Sequence, residues 1–151
     1  MSQIRAVLVD ERAPAKLSLG EIEEPSPAPS EALVRVSMIS LNRGEVRRAQ
    51  VAEPGFNPGW DLAGIVEREA ADGTGPPADA RVVGLLPSGA WAELAAVPTN
   101  SLAELPENVS FGQAATLPVA GLTVLYTLEK SGSLLGRNVL VTGASGGAGH
   151  F

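Results

Sequence analysis

Residues 138–149 read NVLVTGASGGAG, and no other stretch of this 151-residue chain restricts its fold so tightly. The compact apolar run 138–142 predicts a buried strand. Four glycines, Gly143, Gly146, Gly147 and Gly149, follow it directly. A glycine cluster alone makes a tight turn or a flexible tail. Behind a strand, it also lets backbone N–H groups approach a pyrophosphate, because no Cβ stands in the way. A helix N-terminus after the turn would add donors and a favourable dipole. The spacing is GxxGGxG rather than GxGxxG, so the strand in front carries the reading of a dinucleotide-binding turn. Only His150 and Phe151 follow. A strand–helix–strand unit takes roughly 30 residues, so it is expected to be incomplete here.

Composition removes several kinds of chemistry. There is no cysteine, and His150 is the one histidine. A catalytic zinc takes about three protein ligands, mostly His or Cys, so no zinc is expected. With one histidine, no Ser/His/Asp triad can be assembled either. The net charge is −6 and no Lys/Arg cluster stands out, so neither nucleic acid nor an anionic membrane surface is an expected partner. The most apolar stretch, 114–128, is broken by Pro118 and Gly121 and is shorter than the roughly 20 residues of a membrane span. The N-terminal MSQIRAVLVDER meets charge at Arg5, Asp10, Glu11 and Arg12, which leaves no apolar core of signal-peptide length. The expected location is the cytoplasm.

The first hundred residues predict a β-rich unit. Short apolar runs at 4–9, 17–21, 32–39, 62–67, 81–86 and 91–97 are separated by Gly, Pro and Asp, the pattern of a sandwich or barrel. Residues 24–30, rich in Pro and Ser, make a connection, and 69–79 a surface loop. Ser110 with Gln113 has capping-box spacing. The helix begun by Ala114, Ala115 and Leu117 must end or kink at Pro118. Leu122, Leu125 and Tyr126 predict a second helical stretch, with Gly132 as its terminator.

Single residues carry weaker signals. Gly59 and Gly64 bracket Trp60 and Asp61 in a segment that reads as a structural turn and strand start. Asn42 could offer its amide to a ligand, but a strand-end turn role is the simpler expectation. Arg43, Glu45, Arg47 and Arg48 read as a solvated, self-compensating charged stretch. Tyr126 is expected in a core. Paired carboxylates such as Glu23 and Glu24 have no spacing that marks acid–base work.

Five blocks in order carry a resemblance: NRGE at 42–45, PGWDLAGIVE at 58–67, ARVVGLLPSGAWAELAAVP at 80–98, LPENVSFGQAATLPVAGLTVLYTL at 105–128 and GRNVLVTGASGGAG at 136–149. Together they resemble the zinc-free quinone-oxidoreductase branch of the medium-chain dehydrogenase/reductase superfamily, over its N-terminal portion. The resemblance implies a mixed α/β fold. A mainly β GroES-like barrel, the catalytic domain, would occupy 1–120 and a connecting helix 121–135. The first strand and glycine turn of an incomplete Rossmann domain would occupy 136–151. It places Asn42 and Thr123 near a nicotinamide, and Gly143, Ala144, Ser145, Gly146, Gly147, Ala148 and Gly149 near the pyrophosphate. Catalytic groups are not identified. Zinc-dependent relatives carry Cys near the position of Asn42 and His at that of Trp60, and this chain has neither. Glu45 stands where the branch usually has Asp, and Ala148 where it has Val.

The implied activity is metal-free hydride transfer from NADP or NAD, NADPH being favoured, to a quinone or an activated enone. The resemblance further implies that full-length relatives form homodimers. Relatives are about twice as long, so these 151 residues alone are expected to be inactive or nearly so. An enoyl reductase of the same superfamily, or a stand-alone barrel acting as an interaction module, are the alternatives.

Overall fold

A computed structural model describes residues 2–151. Its elements run β1 (Gln3–Val9), β2 (Leu17–Glu23), β3 (Glu31–Ile39), α1 (Arg43–Val51), β4 (Asp61–Arg68), β5 (Arg81–Leu85), β6 (Leu94–Pro98), β7 (Leu102–Glu104), α2 (Phe111–Ala115) and α3 (Leu122–Lys130). A π-helical turn, Leu117–Gly121, joins α2 to α3. The six strand segments read from the sequence all appear, and the short β7 is an addition.

The strands do not close into a complete barrel. β3, β4, β5, β6 and β7 form one antiparallel sheet in the order β6-β3-β4-β5-β7, curled as a half-barrel, while β1 and β2 pair separately. A bridge between Ala6 and Ala92 ties the hairpin to the sheet. Strand alternation then sorts the side chains into two layers. On the inner face Ala32, Val34, Leu62, Val66, Val82, Ala95 and Val97 pack into the main core. On the outer face Ala63 packs with Ala114 and Ala115 of α2, bordered by Val83 and Phe111. Asp61 lies two residues before Ala63 and so shares this outer face.

The short helix α2 is capped as the sequence predicts. Ser110 Oγ accepts the Gln113 N–H at 3.2 Å, and Gln113 Oε1 accepts the Ser110 N–H at 3.1 Å. Arg81, the first residue of β5, secures the segment leading to it. Its guanidinium donates to the carbonyls of Pro106 at 3.0 Å, Glu107 at 3.3 Å and Val109 at 2.5 Å, and lies 4.7 Å from the Phe111 ring centroid. Pro118 then kinks the helical path rather than ending it. The extra residue per turn leaves the Val119 N–H free of the regular ladder.

Three expectations need correction. Of the charged run at 43–48, Arg43, Arg47 and Arg48 are exposed as expected, but Glu45 is not solvated. The run forms most of α1, in which Glu45 and Ala49 are buried. Tyr126 is not in a core but 57% exposed, and α3 buries none of its side chains. The run 138–142 forms no strand, and Leu140 is 88% exposed. A strand needs a neighbour to take its N–H and C=O groups, and no other segment pairs with this one. Apolar residues of α3 instead line an open groove of 640 Å³ with β5, β7 and Phe151.

The forked guanidinium of Arg81 holds three carbonyls that a single ammonium cannot reach together. Arg81→Lys is therefore expected to lower stability by about 1–2 kcal/mol in urea denaturation. A variant as stable as the parent would show that the 105–111 segment is held by packing alone.

Candidate functional site

The site grows from the turn between β3 and α1. Asn42 is the N-cap of α1 and Glu45 is the third helical residue, so the pair has capping-box spacing. Glu45 Oε2 accepts the Asn42 backbone N–H at 2.5 Å. The carboxylate also complements the helix dipole. Its other oxygen, Oε1, accepts the Trp60 N–H at 2.5 Å, which joins the head of α1 to the residue preceding β4. Glu45 is only 1% exposed. Loss of hydration raises its pKa, the two backbone hydrogen bonds pull it back, and the neighbouring Asp61 charge pushes it up again. Desolvation prevails.

The Trp60 indole lies against the same turn. A Cβ on Gly44 would stand 2.4 Å from the indole edge, so residue 44 must be glycine for the ring to sit there. The far end of α1 is fixed by Arg48, which donates to the Pro87 carbonyl at 2.8 Å and lies 4.9 Å from the Phe56 ring centroid.

Asp61 is completely buried. Its Oδ2 accepts from Asn42 Nδ2 at 2.7 Å and from Ser40 Oγ at 2.5 Å. Its Oδ1 accepts the Val119 N–H at 3.1 Å, the amide freed in the π-helical turn. One turn further on, Thr123 Oγ1 donates to the Val119 carbonyl at 2.5 Å. Asn42 and Thr123, the two residues expected beside a nicotinamide, therefore meet in one network through Asp61 and Val119. Asn42 is half-buried and its Oδ1 faces the Glu45 N–H across the capping box, whereas Thr123 is exposed.

The glycine turn is a separate feature. Gly143 has φ +71°, and the N–H groups of Gly146 and Gly149 fold back onto the carbonyls of Gly143 at 2.9 Å and Gly146 at 3.0 Å. A Cβ at Gly147 would meet nothing within 4 Å, but one at Gly149 would lie 2.5 Å from the Ala144 carbonyl oxygen. The turn thus keeps one open, Cβ-free approach at Gly147, and it needs Gly149 to close on itself. Ala144, Ser145 and Ala148 complete it, all exposed, with a 3-10 turn over Ala148–His150 at its end. It touches the rest through Phe151, beside Gly121 and Leu122 in the apolar groove. Among the described residues no cluster of three or more His, Asp or Glu side chains could hold a metal ion, and no helix is long and apolar enough to cross a membrane.

Comparison with known proteins places the fold. No family model matches the chain. A chloroplastic quinone oxidoreductase, QR1, from Triphysaria versicolor is 32% identical over 98% of this chain and 50% of its own. The quinone oxidoreductase of Coxiella burnetii superposes with a TM-score of 0.90 at 26% identity, over 99% of this chain and 51% of its own. The Escherichia coli quinone oxidoreductase solved in complex with NADPH gives 0.80 at 25% identity, over 96% and 47%. Zinc-bound alcohol dehydrogenase shares the fold as well. The chain spans half the length of the Triphysaria protein and a third or less of several other curated relatives.

Glutamine at position 45 would offer one acceptor to two buried N–H donors. Glu45→Gln is expected to cost about 1–3 kcal/mol. A carboxyl with a raised folded-state pKa contributes stability below the ordinary glutamate value and loses it as pH rises through the raised one. The deficit of the variant should therefore be widest near about pH 4 and narrow towards neutrality, as read from denaturation midpoints. A gap that widens with pH would mean that the hydrogen bonds outweigh burial.

Proposed function

We propose, for a chain related to the quinone-oxidoreductase branch of the medium-chain dehydrogenase/reductase superfamily and matching its N-terminal portion, that these residues form the nicotinamide side of a metal-free NAD(P)H-dependent reductase. The observation that carries the reading is the meeting of Asn42 and Thr123 through Asp61. The cored half-barrel within 1–120 serves as the substrate-side domain and 121–135 as the connection. Residues 136–151 are the start of the nucleotide-binding unit.

The residues present fit part of a dinucleotide. Asn42 has a second lone pair on its side-chain oxygen beyond the one that faces the Glu45 N–H, Thr123 an exposed side chain, and the turn an open backbone face at Gly147. When bound, NADPH would supply the hydride, and the quinone or activated enone would take up that hydride and a proton from solvent. The protein's part is to hold the acceptor and the ring in register. Asp61 and Glu45 are committed to hydrogen bonds that shape this wall, so neither is assigned to proton transfer. Reaction without zinc is supported by the lack of any cysteine and by Trp60 at the position where zinc-dependent relatives carry His.

The 151 residues by themselves are proposed to turn over little or nothing. The glycine turn runs into a 3-10 turn of three residues, which lacks the row of aligned N–H groups of a helix N-terminus. Cofactor affinity is accordingly placed near about the millimolar range.

Titration of the isotope-labelled chain with NADPH, followed by amide NMR, tests the reading. Signals of Gly143–Gly149, Asn42 and Thr123 should move together. Gly147→Val should leave the unfolding free energy within about 0.5 kcal/mol and weaken that response about tenfold or more. Shifts confined to other residues would overturn the cofactor reading. Steady quinone reduction by the 151-residue chain would overturn the proposed inactivity.

A further inference from the structure

We infer that Asp61 is a positioning residue that fixes the side-chain amide of Asn42, so that Asn42 meets a ligand as a hydrogen-bond acceptor and not as a donor. The role rests on the cofactor reading above and specifies the chemistry that Asn42 selects.

An asparagine amide has two faces of opposite character, and nothing in its own shape decides which one a ligand meets. Asp61 decides it here. The carboxylate is fully buried at the start of β4 and receives Asn42 Nδ2 at 2.7 Å, together with Ser40 Oγ at 2.5 Å. A carboxylate oxygen accepts, so the NH₂ end of Asn42 must face it. Turning the amide over would set Oδ1 against the Asp61 oxygen, two buried acceptors with no proton between them. The bond to a charged group is also the stronger choice for Nδ2. Oδ1 faces the Glu45 N–H across the capping box and keeps a second lone pair, on a side chain that is half-buried.

The other Asp61 oxygen reaches beyond the turn. By accepting the Val119 N–H at 3.1 Å it anchors the π-helical turn whose carbonyl at Val119 receives the Thr123 hydroxyl. Thr123 Oγ1 therefore spends its proton inside its own helix, and it too offers lone pairs to a ligand. Both residues present acceptors because of hydrogen bonds that converge on Asp61 and on Val119. A ligand that fits must bring N–H or O–H donors. The carboxamide of a nicotinamide carries two N–H groups and meets this demand, whereas the corresponding carboxylic acid, when ionised, brings only acceptors.

Reduced nicotinamide mononucleotide and its nicotinic-acid counterpart are the probes, since both lack the adenosine half. By amide NMR the parent chain should bind the carboxamide about tenfold or more tightly than the acid. Asp61→Asn should erase that preference, because asparagine can present an NH₂ group to Asn42 and let its amide turn over. If Asp61→Asn does not fold, the parent answers by itself. One side-chain NH₂ proton of Asn42 should be shifted downfield by the carboxylate and exchange slowly with water. Asn42 side-chain protons that exchange as fast as those of an exposed asparagine overturn the positioning role. A parent that binds both nucleotides equally overturns the selection of donors alone. A parent that responds to neither overturns the cofactor reading and this role with it.

Discussion

Two buried carboxylates and the asparagine between them hold together the head of α1, the start of β4 and the π-helical turn. Asn42 gives its backbone N–H to Glu45 and its side-chain amide to Asp61. Glu45 carries the link on to Trp60, and Asp61 carries it to Ser40 and Val119. Three segments distant in sequence, at 40–45, 60–61 and 119, are thus joined by two acidic side chains that water does not reach. Burying a charge costs several kcal/mol unless donors surround it. Five donated hydrogen bonds converge on these two groups. A knot of this kind tolerates little, because each donor that loses its acceptor is left buried and unpaired. Rigidity at Asn42 and Thr123 follows from that intolerance.

Much of the half-barrel was legible in the sequence. Its strands alternate apolar and polar residues between Gly, Pro and Asp, and the Ser110–Gln113 cap needs residues only three apart. Helix α1 was harder to see, since it has no apolar stripe. A usable signal was nevertheless there: Asn42 followed by Glu45 has the spacing of a helix start, but no hydrophobic run stands behind it to advertise the helix. The reading of Glu45 as solvated failed for the same reason. Charge at that position was legible, and its burial was not. Asp61 was taken for part of a turn because its donors lie 21, 19 and 58 positions away, at Ser40, Asn42 and Val119. No local pattern reports contacts of that range.

The opposite error arose at 138–142. The residues there have the composition of a buried strand, but strand formation is a property of pairs. Together with α3 they present Leu122, Leu125, Leu128, Val139, Leu140 and Val141 to solvent, while the apolar core is complete by Ala115. Exposed apolar surface of this extent is costly and is ordinarily covered. The division of the chain into a cored part and an uncored part agrees with its matching about half of each related reductase structure. The site residues divide in the same way. Asn42 and Thr123 are tied to the cored part through Asp61, and the glycine turn belongs to the uncored one.

The central claim is that the carboxylate knot is a rigid, closed structure and not an adventitious surface contact. Native-state hydrogen exchange at the amides of Trp60 and Val119 tests it most directly, because each donates to one of the two carboxylates from outside the regular helix and strand ladders. These amides should exchange as slowly as those of the central strand β4, opening only with the whole fold. Exchange as fast as that of Ser145, in the exposed glycine turn, would contradict the account.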